Sequence, residues 1–203
     1  MNRRFFLFAP VVAVFLAAPV RAADKIPLAD ISAYLNAMTT VKGSFTQINP
    51  DGTISTGTLF IKRPGRMRFD YDQPDPALVM AGGGTVAIFD RKSNEPPQQF
   101  PLNRTPLSVI LEKDVDLARA NMITAHISDD KSTTITAQDP EHPDIGHIDL
   151  LFTPDPVELR QWIITDEAGS QTTVILGQME IGTELGDSLF SVQVEIQKTQ
   201  PLR

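Results

Sequence analysis

The chain contains no cysteine, one tryptophan and two tyrosines in 203 residues. Without cysteine it can form no disulfide, supply no thiolate nucleophile, build no zinc–thiolate site and carry no acyl group on an N-terminal cysteine. Basic residues are also scarce, because 18 lysines and arginines stand against 25 acidic residues and give a formal net charge of -7. Nucleic acid is therefore not an expected partner, since its binding usually requires a basic surface.

Long apolar runs are absent except near the N-terminus, where residues 5–20 follow Arg3 and Arg4. A positive flank, an apolar run shorter than the roughly 20 residues of a membrane span and short residues before a cleavage point are typical of a secretory signal peptide. A retained membrane anchor is the alternative, and the arginine pair also resembles a twin-arginine export signal. We predict that residues 1–22 are a cleaved signal peptide and that residues 23–203 form one exported domain.

The rest of the chain shows one clear helical pattern and many strand patterns. Apolar residues at helical spacing after Pro27 predict a first helix over residues 27–41, with Asp30, Ser32 and Asn36 on its polar side. Thr105 is the expected N-cap of a second short helix. Strands are predicted from Ser44 and then at residues 57–62, 66–71, 77–80, 85–89, 122–128, 132–138, 145–153, 158–165, 171–178 and 191–197, with a helical turn at 187–190. The prediction is a mainly β (α+β) domain with one large antiparallel sheet and two short helices.

The motifs of common enzymes are missing. There is no G-x-S-x-G or H-E-x-x-H, and Gly82-Gly83-Gly84 lacks the Lys-Ser/Thr of a phosphate loop. The best polar cluster lies in a proline-containing turn, where solvated polar residues are expected in any case, and consists of Asp139, Glu141, His142, Asp144 and His147. We expect no catalytic residue, no metal and no cofactor, and keep a hydrolase that uses residues 139–147 as an alternative.

The apolar sides of the predicted strands say more about function than the polar residues do. One large curved sheet has a concave face that two short helices could cover, either as an ordinary core filled by side chains or as a lid over an apolar cavity. The residues predicted to line such a cavity are Leu59, Ile61, Met67, Phe69, Tyr71, Ile88, Leu150, Phe152, Trp162 and Ile164. The lid residues predicted to face them are Leu28, Ile31, Leu35, Met38, Leu107, Ile110 and Leu111. A cavity of this kind needs a polar latch that holds the lid and then releases it.

Residues 57–71 read GTLFIKRPGRMRFDY. This segment resembles the periplasmic outer-membrane lipoprotein carrier family (LolA-like), whose members carry G-x-(L/F)-x-(V/I)-K-R-P-x-x-(F/M)-x-(F/W). Shorter similarities to the family occur at residues 41–47, 105–107, 159–162 and 166–172. Together with the export signal and the missing cysteine, these segments extend the resemblance over the whole mature chain.

The resemblance implies an unclosed β-barrel with an α-helical lid over a cavity for acyl chains. It assigns the family's lid-closing arginine to Arg63 and cavity-lining positions to Met67 and Phe69. The pattern of residues favours the same role for Arg63. Arg63 lies an even number of positions from Leu59 and Ile61, which are predicted to face inward, so its side chain is expected on the same face. Its guanidinium offers several hydrogen-bond donors, which suit the unpaired carbonyl groups at helix ends. The sequence departs from the family at two places. Residues 86–88 lack the aromatic residue that the family has in this strand, and the segment after residue 190 lacks the family's closing phenylalanine-and-proline pattern.

The implied function is that of a monomeric periplasmic carrier without enzymatic activity. Such a carrier takes acylated lipoproteins from an inner-membrane lipoprotein-release transporter and delivers them to an outer-membrane acceptor. The absence of cysteine separates this chain from the acceptor, which is itself a lipoprotein. The alternative on the same scaffold is a periplasmic module that binds another lipid or senses mislocalised lipoproteins.

Overall fold

The computed structural model describes residues 25–93, 95–119 and 121–199, so the predicted signal peptide lies outside the described residues. The strands are β1 (Thr40–Ile48), β2 (Ile54–Lys62), β3 (Arg66–Tyr71), β4 (Ala77–Gly82), β5 (Thr85–Asp90), β6 (Gln98–Pro101), β7 (Ile123–Ser128), β8 (Thr133–Gln138), β9 (His147–Thr153), β10 (Glu158–Thr165) and β11 (Gln171–Ile181). The α-helices are α1 (Leu28–Ala37), α2 (Ser108–Leu111) and α3 (Val192–Thr199). Single turns of 3-10 helix occur at Leu102–Arg104, Pro143–Ile145 and Asp187–Phe190.

All eleven strands belong to one antiparallel sheet in the order β6-β5-β4-β3-β2-β1-β11-β10-β9-β8-β7. Neighbours in the sheet are neighbours in the chain except where β1 pairs with β11, which joins the first and second halves of the meander. Among the described residues the edge strands β6 and β7 pair with no further strand, so the barrel is open. This confirms the predicted fold class of a single unclosed antiparallel sheet with a few helices.

Strand alternation sorts the apolar side chains onto the concave face. Leu59 and Ile61 on β2 pair with Phe69 and Met67 on β3, and all four are buried. The rings of Phe45, Phe69 and Tyr71 meet within this layer, where Phe45 lies edge to face with both others at centroid distances of 5.0 and 5.1 Å. A continuous core therefore runs along the concave face.

The convex face of β3–β5 carries a second, smaller core under the C-terminal helix. Leu78, Met80, Ala87 and Phe89 are buried there, and Val192 and Ile196 of α3 pack against them. The strand predicted for residues 191–197 is therefore wrong, since this segment is helical. Its apolar residues at 192 and 196 are four apart, which suits one helix face as well as one strand face.

Gly82 sets how closely the C-terminal segment approaches the sheet, because a Cβ atom there would lie 2.2 Å from the Phe190 carbonyl oxygen. We expect Gly82→Ala to lower the free energy of unfolding by about 1–3 kcal/mol through this overlap. Gly186→Ala is the matched control, since its nearest atom, the Ser188 hydroxyl, is 3.8 Å away and its φ is -68°. Chemical denaturation measures both, and equal midpoints would contradict the prediction.

Other local features also differ from the sequence predictions. The helix predicted to reach residue 41 ends at Ala37, because the β-branched run that starts at Thr39 continues into β1. The Thr105 hydroxyl does not cap α2 but donates to the Leu102 carbonyl. The proline-rich connection before it contains the edge strand β6. No helix in the described part of the chain is long and apolar enough to cross a membrane.

Candidate functional site: a latched helical lid

The two short helices lie against the concave face. Ile31 and Leu35 of α1 are fully buried and Met38, which directly follows α1, is almost fully buried, as are Ile110 and Leu111 of α2. Leu107, which precedes α2, is also buried, whereas Leu28 is only partly buried at the edge of the same core. The predicted lid residues therefore face the strands, and in this structure their side chains fill the interior.

Arg63 joins both helices to the sheet. It directly follows β2, and its guanidinium donates one hydrogen bond to the Leu35 carbonyl near the end of α1. Two more reach the Glu112 carbonyl just beyond α2, from Nε at 3.0 Å and from Nη2 at 2.5 Å. Carbonyl groups at helix ends lack intrahelical partners, so a cation with a fixed fork of donors satisfies them well. The predicted latch residue thus contacts both parts of the predicted lid.

Burial lowers the pKa of Arg63, while the nearby carboxylates of Asp114 and Glu112 act to raise it. An arginine keeps its charge throughout the physiological range, so the latch does not switch by losing a proton. The turn that carries Arg63 adds a further contact, in which the Gly65 amide donates to the Leu111 carbonyl at 2.8 Å. The β2–β3 turn therefore holds the end of α2 through both a side chain and the main chain.

Ser32 and Asn36 form the other side of the latch, although the sequence places them on the polar, exposed side of α1. The Asn36 side chain bonds Val115 twice, accepting from its amide at 2.9 Å and donating to its carbonyl at 2.8 Å. The hydroxyl of Ser32, which is buried, accepts from the Leu117 amide at 3.1 Å. The segment after α2 is thus tied to α1, so the two helices and this segment form one latched unit.

Most of the residues predicted to line a cavity are brought together on the concave wall. Those that are buried there are Leu59, Ile61, Met67, Phe69, Tyr71, Leu150, Phe152 and Trp162. Ile164 is partly buried against the same core. Ile88 pairs with Val79 on the same face but is 39 % exposed, and it lies outside the core that the helices cover.

Two polar groups lie at this wall among the aromatic rings. The Tyr71 hydroxyl donates to the Gln47 side-chain oxygen at 2.7 Å, and the Gln47 amide nitrogen donates to Asn49 at 2.6 Å. Burial raises the pKa of Tyr71 to about 12, so the phenol stays neutral. The Tyr71 hydroxyl and the Gln47 amide are therefore already hydrogen bonded, to each other and to Asn49.

A cavity of about 200 Å³ opens beside the lid, between α2 and the turn that connects β8 to β9. Pro106 and Val109 line it from the lid side, and Met122, Ala137 and Ile145 line it from the opposite side. Polar side chains, among them those of Glu112 and Asp139, complete its lining.

The polar cluster at residues 139–147 is a turn whose groups bond one another. Asp139 accepts from the amides of Glu141 and His142 and lies 3.1 Å from the His142 ring nitrogen. The hydrogen bond from the Glu141 amide, helped by those from His142, lowers the pKa of Asp139. In the described ranges, no three histidine, aspartate or glutamate side chains are close enough to hold a metal ion.

The sequence is similar to known proteins over most of its length. The model of the family described as outer membrane lipoprotein carrier protein LolA matches residues 36–193. The outer-membrane lipoprotein carrier protein of Chromohalobacter salexigens is 22% identical over 200 residues, covering 94% of each chain. The protein of the same name from Coxiella burnetii (strain CbuK_Q154) is 25% identical over 170 residues, covering 79% of each chain.

A solved structure supports the same fold. A Vibrio parahaemolyticus domain, provisionally described as an outer membrane lipoprotein-sorting protein domain, is 9% identical with a TM-score of 0.50. The similarity covers 86% of this chain and 99% of the Vibrio domain. The family match includes Arg63, α2 and all eleven strands. The chain belongs to the outer membrane lipoprotein carrier protein LolA family.

Proposed function

We propose that this protein is a periplasmic carrier that binds the acyl chains of lipoproteins released from the inner membrane and delivers them to an outer-membrane acceptor. The observation that carries the proposal is the set of hydrogen bonds by which Arg63 holds two apolar helices over an apolar concave wall. The proposal includes export by a signal peptide at residues 1–22 and a single carrier domain at 23–203. It requires no enzymatic step and no cofactor.

The free energy of burying acyl chains is large enough to open the helical lid. Each methylene removed from water contributes about 0.8 kcal/mol, so two or three acyl chains bring more than enough free energy to displace the lid side chains. The closed form competes with the ligand for the same wall, since Ile31, Leu35 and Ile110 occupy it when the latch is made. Because the latch is satisfied only in the closed form, it lowers ligand affinity and makes delivery feasible.

The proposed partners follow from this cycle. An acylated lipoprotein enters from an inner-membrane lipoprotein-release transporter, and it leaves to an outer-membrane acceptor. The carrier acts as a monomer, because one open barrel supplies both the wall and the lid. The acidic composition of the chain agrees with partners other than nucleic acid.

A reconstituted transfer tests the proposal. The protein, purified after export, is added to inner-membrane vesicles that hold a newly lipidated protein, and the soluble fraction is then moved to outer-membrane vesicles. The carrier proposal expects the lipidated protein in the soluble fraction in complex with this chain, followed by its appearance in the acceptor vesicles. Mass spectrometry of the ligand that co-purifies from the periplasm is the independent check. Free lipid in place of acylated protein would favour the alternative lipid-binding module.

A further inference from the structure

The only tryptophan of the chain lies fully buried in the interior. It is on the concave face of β10, between Leu150 of β9 and Val174 of β11, which are both buried. Its indole Nε1 is the one buried side-chain nitrogen or oxygen, among the described residues, without a hydrogen-bond partner. An indole N–H can only donate, and a buried one normally finds an acceptor.

The neighbours of Trp162 do not supply that acceptor. The ring of Phe69 lies edge to face at 6.1 Å, which offers at most a weak contact with a π-face. The Tyr71–Gln47 pair on the same wall is already hydrogen bonded internally. The fold thus leaves an unused donor among apolar side chains, and leaving it unused destabilises the closed form.

The place of this donor in the barrel is informative. Phe69 is on β3 and Trp162 is on β10, and the strands β2, β1 and β11 separate them in the sheet. Their contact therefore bridges the two walls of the open barrel, beneath the lid. The two rings and the indole N–H thus lie at the point where the two walls meet.

We propose that the indole N–H of Trp162 binds a carbonyl oxygen of an ester- or amide-linked acyl group. The inference rests on the proposed function, which brings acyl chains to this wall, and it goes further by naming a polar contact within it. The methylenes of an acyl chain match the apolar wall, but the carbonyl at its head loses its hydrogen bonds to water on entry. One donor at this depth restores a bond, fixes how far the chain slides in and favours acyl over alkyl lipids.

Paired probes test this contact. The first is a synthetic lipopeptide with two ester-linked palmitoyl chains, and the second is its dialkyl ether analogue, in which methylenes replace both carbonyls. We expect the natural chain to bind the diester about tenfold more tightly than the diether. Trp162→Phe, which keeps an aromatic ring but removes the donor, is expected to bind both probes equally. Phe152→Leu is the matched core truncation, and it should weaken both probes while keeping the preference.

The single indole also gives a direct signal that does not depend on a variant folding. A proton–nitrogen correlation spectrum of the natural protein contains one indole cross-peak, because the chain has one tryptophan. The diester is expected to move this peak in the direction of a stronger hydrogen bond, and the diether is not. An indole peak that responds equally to both probes would overturn the assignment.

The outcomes separate this inference from the carrier proposal. If the natural chain binds both lipopeptides equally, the carbonyl contact is wrong and the carrier role stands. A third probe pair, dipalmitoyl phosphatidylglycerol and its diether, presents the same carbonyls on a free lipid. If the preference occurs with this pair while neither lipopeptide binds, the contact is supported and the carrier role is overturned. If no probe pair binds, both are overturned.

Discussion

Replacing Arg63 with leucine is expected to slow the unloading of bound lipoprotein about tenfold or more and to leave the protein folded. The guanidinium donates to the carbonyls of Leu35 and Glu112, so its loss removes the contacts that hold α1 and α2 closed. Hydrogen bonds from a charged donor contribute about 1.5–3 kcal/mol, and the lower value applies to a half-buried group. Such a loss shifts the equilibrium toward the open form by about an order of magnitude. Transfer from the purified complex to outer-membrane vesicles measures the effect.

Arg66→Leu is the matched control for this substitution. Arg66 lies three residues further along, on β3, but its guanidinium pairs with the exposed Asp187 and contacts neither lid helix. It should therefore unload at the natural rate. If Arg63→Leu also unloads at that rate, the latch is wrong even where the carrier role holds.

Lid position can be observed directly because the chain has no cysteine. Cysteines introduced by Ala33→Cys on α1 and Ile54→Cys on β2 occupy exposed positions and would carry two spin labels. In the natural background the distance distribution should be narrow. With Arg63→Leu it should broaden toward longer distances, since α1 loses its attachment to the end of β2. An unchanged distribution would contradict the role of Arg63 in closure.

The apolar wall and the inward position of Arg63 could be predicted from the sequence because both depend on local order. Alternation along β2 and β3 sets which residues face inward, so Leu59, Met67 and Phe69 follow from parity alone. Arg63 continues the same parity past the end of β2. Ile88 shows the limit, since parity gives its face correctly but not how far across that face the helices extend.

The other half of the latch could not be predicted, because it depends on contacts between distant segments. Asn36 and Ser32 look like solvated positions of an amphipathic helix. Ser32 is buried and Asn36, although exposed, is hydrogen bonded, because the segment around residues 115–117 crosses α1 and offers main-chain groups to both. The periodicity of the helix contains no signal for such a crossing.

The C-terminal helix could not be predicted from the sequence either, because its contacts are also with distant segments. Val192, Val194 and Ile196 alternate with polar residues, which is the pattern of a half-buried strand. As a helix, the same segment directs Val192 and Ile196 to the sheet and brings Glu195 to Arg68. The helix is thus accompanied by a buried ion pair whose two members are 127 positions apart, which the local pattern cannot reveal.

Arg68→Ala is expected to lower the free energy of unfolding by about 3 kcal/mol, the low end of the range for breaking a buried ion pair. Arg68 is only 7 % exposed. Its guanidinium bonds Asp70 at 2.7 and 3.2 Å, Glu195 at 3.3 Å and the Leu189 carbonyl at 3.2 Å. Removal takes away the buried cation that joins α3 to β3, while the exposed Lys198 on α3 itself stays 3.2 Å from Glu195, so α3 should detach before the sheet unfolds. Urea denaturation followed by circular dichroism measures the loss.

Arg91→Ala separates the effect of burial from that of charge. Arg91 also pairs with Asp70, but it is solvent-exposed, and exposed ion pairs contribute about 0–1 kcal/mol. Burial acts to raise the pKa of Asp70, yet the hydrogen bonds from Arg68 and Arg91 outweigh it and hold that pKa below the usual 3.8. Either substitution should raise it, and Arg68→Ala should raise it further. Equal losses of stability in the two variants would contradict a buried role for Arg68.

The double variant Arg68→Met, Glu195→Met tests whether this pair stabilises the fold or only specifies it. Replacing both members of a buried ion pair by apolar residues of similar volume is often neutral or stabilising. We therefore expect the double variant to recover most of the stability lost in Arg68→Ala, because Met80 and Phe89 already make the surroundings apolar. The position of α3 should then be less well defined, since a charge pair fixes a helix register that a uniform apolar contact does not. Amide hydrogen exchange in α3 measures this, and slower exchange in the double variant than in the natural chain would contradict it.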